Sequence, residues 1–142
     1  RTQISIAELF TDLKKLFPEE EFQFEVPSPE LKLNVDRTQI EQILINLLKN
    51  AREACSRKSD KKIQVKARKL SAGNTTLTIS DNGEGILPDV LDKIFVPFFT
   101  TKTSGSGIGL SLCKQIMTLH EGSINVKSEV GKGSSFILTF PK

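Results

Sequence analysis

Three groups of residues have types and spacing suited to chemistry. The first is a stripe. Gln39, Gln42, Asn46, Asn50 and Glu53 recur at intervals of three and four, which lines them up within roughly 80° of arc on a helix of 3.6 residues per turn. Asparagine is a mediocre mid-helix residue because its side chain competes for backbone hydrogen bonds, so a pair at i and i+4 asks for a reason. Solvent exposure is one reason. The other is a pair of carboxamide oxygens aimed at a cation or a phosphate, since Mg²⁺ takes hard oxygen ligands and keeps several waters.

The second group is Asp81-Asn82-Gly83-Glu84-Gly85-Ile86. Asn-Gly alone signals a tight turn. Gly85, coming two residues later, suggests backbone passing close to something flat, and Asp81 would then accept a hydrogen bond from an exocyclic amine such as that of adenine. The third group, Ser104-Gly105-Ser106-Gly107-Ile108-Gly109-Leu110, leads into a helical pattern, where glycines let backbone N–H groups and the positive helix end approach an anion. Its G-x-G-x-G spacing fits neither the Walker loop nor the dinucleotide fingerprint. The three groups point to one nucleotide, with asparagines for a metal, an aspartate turn for the base and a glycine-rich helix start for phosphates.

Two further features are ambiguous by themselves. Phe95, Phe98 and Phe99 fall within five residues. They read as local core, or as a flap whose rings pack while Thr100, Thr101 and Lys102 offer hydroxyls and an ammonium to phosphates. His120, the only histidine, stands at the end of a helical pattern. It reads by default as a packing or capping residue, and otherwise as a phosphate acceptor or base.

The surrounding pattern shows what must position these groups. Apolar residues from Ile4 to Phe17 recur at helical spacing, and Pro18 stops the run. Phe22–Val26 and Leu31–Val35 alternate around Pro27 and Pro29, which reads as two strands about a turn. Asp36 is a candidate N-cap, with Gln39 completing a capping box, for a long helix from Arg37 to Ser56. Ile63–Ala67 and Leu77–Ile79 predict a hairpin ending at Asp81. Pro88 to Ser106 has no clear period, and five of the nine glycines fall between Gly83 and Gly109, as in a mobile or functional loop. A helix from Ile108 ended by Gly122 and strands Ile124–Lys127 and Ser135–Phe140 complete the order. That order predicts an α+β fold, a two-layer sandwich with a mixed, mostly antiparallel sheet and helices on one face.

At 142 residues, with 37% hydrophobic and 26% charged, the chain can hold a core without disulfide or structural metal. No segment approaches a membrane span or a signal leader, so a soluble, cytoplasmic segment is expected, cut from a longer polypeptide because it begins at Arg1. Cys55 and Cys113 lie outside any metal spacing and fit buried thiols. Net charge is +3, too small to imply nucleic acid. Seven basic residues (Arg57, Lys58, Lys61, Lys62, Lys66, Arg68 and Lys69) against Asp60 alone form a local patch, read as a solvated loop and strand edge.

Together these motifs resemble the catalytic ATP-binding domain of bacterial sensor histidine kinases, whose superfamily includes gyrase-type topoisomerases, mismatch-repair ATPases and a heat-shock chaperone. QILINLLKNAREA from Gln42 resembles the asparagine box, and DNGEGI from Asp81 the first glycine box. KIFVPFFTTK from Lys93 resembles the phenylalanine box, SGSGIGLSL from Ser104 the second glycine box, and GKGSSFILTFP from Gly131 the last strand pair, with Ser134 where threonine is common. The likeness runs from about Leu31 to Pro141, with residues 1–30 a looser lead-in to a single domain spanning 1–142.

The resemblance implies a Bergerat-type fold with a mobile ATP lid. Asn50 with Asn46 would bind Mg²⁺, Asp81 would receive the adenine amine, and Gly83 and Gly85 would let the base approach. Gly105, Gly107 and Gly109 would hinge and end the lid, and Lys102 would contact phosphate. Ile86, Phe95, Phe99, Thr101, Ser106, Ile108, Leu110 and Ser134 would line the nucleotide site. Glu53 departs from kinases that carry a basic residue there and receives no phosphate role. Hydrolytic relatives carry a glutamate four residues before the magnesium asparagine, where this chain has Asn46; a carboxamide cannot take a proton at neutral pH. The implied reaction is transfer of the ATP γ-phosphoryl to a histidine on a separate dimeric helical module, and from there to a response-regulator aspartate. No membrane contact by this segment, and dimerisation only through that module, are expected. A hydrolytic ATPase and a non-catalytic nucleotide-binding or docking module are the alternatives.

Overall fold

The computed structural model describes residues 1–97 and 109–142. The elements are β1 (Thr2–Ser5), α1 (Ile6–Leu16), β2 (Phe22–Glu25), β3 (Lys32–Val35), α2 (Arg37–Ala54), β4 (Ile63–Lys69), β5 (Thr75–Asp81), α3 (Pro88–Leu91), α4 (Gly109–Leu119), β6 (Ser123–Glu129) and β7 (Gly133–Phe140). Five strands form one sheet in the order β2-β4-β5-β7-β6, antiparallel except for the parallel pair β2–β4. β1 and β3 pair antiparallel in a separate two-stranded sheet.

Alternation explains the layering. Ile63, Val65 and Ala67 on β4, Leu77 and Ile79 on β5, and Phe136, Leu138 and Phe140 on β7 are buried, all on one face because strand side chains alternate. They pack in a single cluster with Leu9, Phe10 and Leu13 of α1, Ile40, Ile43, Leu44, Leu47 and Leu48 of α2, and Cys113, Ile116 and Met117 of α4. Each fully buried aliphatic side chain contributes about 1.5–3 kcal/mol. The opposite face presents Gln64, Lys66, Arg68, Thr76, Thr78 and Ser135, half-buried or exposed. The mostly antiparallel α+β sandwich is therefore present as the pattern predicts, and the basic residues of β4 lie on its outer face.

Local chemistry sets the helix ends. The Asp36 side chain accepts from the Gln39 N–H at 3.2 Å and caps α2, but the reciprocal half of the expected capping box is replaced, because the Asp36 N–H donates to His120 Nε2 at 3.0 Å. At the end of α4, Glu121 takes the left-handed turn (φ 59°) that a glycine would fill more cheaply. Gly122 follows because its Cβ would fall 2.3 Å from the Thr139 carbonyl oxygen.

Four expectations are corrected. Ile4 belongs to β1, because Ser5 caps α1 by accepting from the Glu8 N–H and the β-branched residues before it pair with β3. β2 and β3 do not form a hairpin. Pro27 and Pro29, lacking N–H donors, separate them, and each finds a different partner. A short helix, α3, starts at Pro88 inside the stretch read as aperiodic. The long helix stops at Ala54, two residues before Ser56.

Candidate functional site

β5 ends on Asp81, which lies opposite Ser134 of β7, itself opposite Ser128 of β6. Alternation from Ile79, Phe136 and Val126 puts all three on the helix-facing side. The Asp81 carboxylate accepts from the Gly83 N–H at 2.8 Å and from the Ser134 N–H. Burial pushes its pKa above the ordinary carboxylate value, and the two N–H donors pull part of that shift back.

The loop after Asp81 is strapped on both sides. The Glu84 N–H donates to the Ala54 carbonyl at 3.1 Å, at the end of α2. On the other side, the Gly131 N–H donates to the Glu84 carbonyl at 2.9 Å, and the Ile86 N–H donates to Ser128 Oγ at 2.8 Å. Asn82 is spent on the preceding loop, accepting from the Lys62 N–H at 2.9 Å and donating to the Asp60 carbonyl at 2.8 Å. A Cβ on Gly83 would lie 2.4 Å from the Ala54 carbonyl oxygen, and one on Gly85 (φ +77°) 2.3 Å from that of Glu129. The neighbour on the Cβ side of both glycines is protein backbone.

The asparagine stripe forms a second wall. Asn46 and Asn50 are half-buried while Gln42 and Glu53 are exposed. Asn50 Nδ2 donates to Asn46 Oδ1 at 3.4 Å. Gly109 is the first residue of α4, and a Cβ there would fall 2.3 Å from Asn46 Nδ2. The start of α4 thus rests on Asn46. Asn50 lies one turn, about 6 Å of rise, before Ala54, so α2 carries the stripe and holds the DNGEGI loop with the same last turn. Two carboxamide oxygens are hard donors that suit Mg²⁺ completed by water and phosphate. Among the described residues, no group of three or more His, Cys, Asp or Glu is placed to hold a metal by itself.

Of the phenylalanine box, Ile94 is buried and Phe95 is half-buried against the core, with Lys114 Nζ 5.7 Å from its ring centroid. Ile86 and Leu110 are half-buried against the same core. Phe99, Thr101, Lys102, Gly105, Ser106, Gly107 and Ile108 lie outside the described residues. A shallow concavity touches Asp81 and Ser134. It is completed by Lys127 and Ser135 from the outer face, so it is not the space between α2 and the Asp81 loop.

His120 is buried, at 4% exposure, with both ring nitrogens engaged. Nδ1 lies 2.9 Å from the Ile116 carbonyl, and Nε2 accepts from the Asp36 N–H at 3.0 Å. An accepting Nε2 makes Nδ1 the protonated nitrogen. His120 therefore joins the end of α4 to the cap of α2 as a packing residue. Both cysteines are buried, and burial pushes the Cys113 thiol up to about 12, which makes it a poor nucleophile. Ser128 carries no motif signal; its one mark in the sequence is a polar residue on the inward side of a strand after Ile124 and Val126.

Comparison with known proteins decides the family. The model of the histidine kinase-, DNA gyrase B-, and HSP90-like ATPases matches residues 35–142. The chain belongs to that family. Membership brings an ATP site with it. This ATPase domain is 39% identical over 110 residues to the sensor histidine kinase ZraS of Salmonella typhimurium, covering 78% of the chain and 23% of ZraS. It therefore spans less than a quarter of that relative. It superposes on the nucleotide-free catalytic domain of the histidine kinase ThkA with a TM-score of 0.86 at 35% identity, covering 99% of this chain and 95% of that one. ThkA in complex with the response regulator protein TrrA gives 0.79 at 31%, covering 99% and 41%. The architecture is that of a sensor histidine kinase catalytic ATP-binding domain. Among the described residues, no helix is long and apolar enough to cross a membrane.

Proposed function

We propose that residues 1–142 act as one cytoplasmic catalytic unit that binds Mg-ATP and passes its γ-phosphoryl to a histidine on a separate dimeric helical module, for relay to a response-regulator aspartate. In this reading Asp81 accepts the adenine amine, and Asn46 and Asn50 hold Mg²⁺. Gly83, Gly85, Ile86, Phe95, Leu110 and Ser134 are assigned to the base and sugar, and Gly109, with Phe99, Thr101, Lys102, Gly105, Ser106, Gly107 and Ile108 outside the described residues, is assigned to the phosphates. Mg²⁺ would neutralise phosphate charge as it develops. The chain's own contribution is to orient ATP by its base, exclude water and offer no general base at position 46.

The observation that carries the reading is Asn46, held under the first residue of α4. Its carboxamide cannot accept a proton from an attacking water at neutral pH, which favours transfer over hydrolysis. Positioning and charge neutralisation then account for catalysis, with the acceptor supplied elsewhere. His120 is not that acceptor, because both its nitrogens are occupied.

The test is labelling with γ-phosphate-labelled ATP. The chain alone should bind ATP without labelling itself. It should label a separately supplied histidine-bearing helical module of the same protein, slowly, giving an acid-labile, alkali-stable product. Asn50→Ala should abolish that labelling. Steady ATP hydrolysis by the chain alone would overturn the reading, as would self-labelling lost in His120→Gln.

A further inference from the structure

We infer that Ser128 is a positioning residue for the nucleobase end of the site, setting both the DNGEGI loop and the orientation of the Ser134 hydroxyl. This rests on the reading of Asp81 as the base acceptor. A serine hydroxyl has one proton to give and two lone pairs to receive. Ser128 Oγ receives the Ile86 N–H at 2.8 Å. It lies 3.1 Å from the Gly133 carbonyl, to which it donates, and 2.8 Å from Ser134 Oγ. With its own proton on Gly133, its remaining lone pair takes the Ser134 proton.

Two consequences follow from that saturation. Ile86 closes the loop that begins at Asp81, and its N–H donates to Ser128 Oγ. The loop is thereby pinned to the β6–β7 hairpin at Ile86 as well as at Glu84, through Gly131. Ser134, at 6% exposure and directly opposite Asp81, has its proton committed to Ser128 and so presents lone pairs beside the carboxylate. Asp81 and Ser134 together then face the site as acceptors, complementary to an amine. Guanine offers a carbonyl at that position and would meet acceptor against acceptor.

Ser128 acts here through other groups, so its removal should affect the base and leave the phosphates alone. In Ser128→Ala the Ile86 N–H loses its partner and the Ser134 hydroxyl is free to rotate. Calorimetry on this chain should show ATP and ADP affinity falling about tenfold, the scale of one well-placed hydrogen bond. Affinity for inorganic triphosphate with Mg²⁺ should be unchanged. In transfer assays KM for ATP should rise with kcat retained, and Ser128→Thr, which keeps the hydroxyl, should recover most of the loss.

Unchanged ATP affinity in Ser128→Ala would overturn the inference. Equal losses for ATP and triphosphate would also overturn it, because they would mark a general loosening of the domain. Asp81→Ala, run in parallel, separates the two levels. If it loses ATP while Ser128→Ala does not, only the role of Ser128 falls. If Asp81→Ala itself binds ATP normally, the reading of the site falls and this inference with it.

Discussion

The two walls of the site are built from different materials. The wall around Asp81, which the proposal assigns to the base, is backbone: Gly83 against Ala54, Gly85 against Glu129 and Gly133 against Asp81, each close enough that a Cβ would lie within 2.4 Å of a carbonyl oxygen. The wall along α2, which the proposal assigns to the metal and phosphates, is side chain: Asn46 and Asn50 bonded to each other at 3.4 Å, with Gly109 resting on the end of one of them. Backbone cannot swing aside, whereas a carboxamide can rotate about two bonds. Substitutions at the first wall should therefore register as lost stability, and at the second as lost function in an intact fold.

The largest expected effect tests the first half of that contrast. Gly133→Ala places a Cβ 2.0 Å from the Asp81 carbonyl oxygen at φ +130°, and should cost roughly 2–4 kcal/mol in denaturant unfolding. A change below about 0.5 kcal/mol, typical of a neutral surface site, would show that the base wall yields like the other.

Asp81→Asn should separate binding from stability in the opposite sense. Burial holds the Asp81 carboxyl above its ordinary value, so as pH rises the unfolded chain loses this proton before the folded one does. The group's contribution to stability falls as pH climbs from the ordinary carboxylate value through the raised one, and stays lower at neutrality. Removing the charge should leave the melting temperature equal or higher, while ATP affinity falls by about 1–3 kcal/mol. A lower melting temperature with normal ATP binding would reverse both assignments. For the unaltered chain, nucleotide affinity should weaken as the pH drops through that same raised pKa.

Gly109→Ala sharpens the second half. Alanine is the better helix former by up to about 1 kcal/mol, and the atom it would strike is the movable Nδ2 of Asn46. Unfolding free energy should hold or rise, while phosphotransfer drops about tenfold through the displaced carboxamide. Loss of stability without loss of transfer would mean that α4, rather than Asn46, gives way. The smallest effect is expected at His120→Gln, remote from both walls. Glutamine can still meet the Asp36 N–H or the Ile116 carbonyl, so stability should fall by about 1 kcal/mol with transfer kcat unchanged.

How much of this was legible follows from the same contrast. Side-chain patterns are written in the sequence: Asp36 with Gln39 foretold the cap of α2, and the alternation through Ile63 and Leu77 foretold the hairpin ending at Asp81. The mutual placement of Asn46 and Asn50 followed from helical spacing alone. Backbone contacts leave no residue type behind except glycine, and glycine does not name its neighbour. Gly85 marks a close approach in the sequence, and the structure names Glu129 as the neighbour on its Cβ side. Ser128 is silent because two of its partners, the Ile86 N–H and the Gly133 carbonyl, are main chain. The parting of β2 from β3 was missed because alternation reports a strand without reporting its mate.

The β1–β3 ladder has a mechanical meaning. Among the described residues β1 is not a member of the main sheet; it is laced to β3, and β3 ends one residue before the Asp36 cap of α2. The Arg1 guanidinium also hydrogen-bonds the Leu119 carbonyl at the end of α4. A tug or a twist delivered at Arg1 therefore loads α2 and α4 before it reaches the five-stranded sheet, with the His120–Asp36 bond as the rivet between them. The main sheet is the ballast of the domain, and its first strand is the handle.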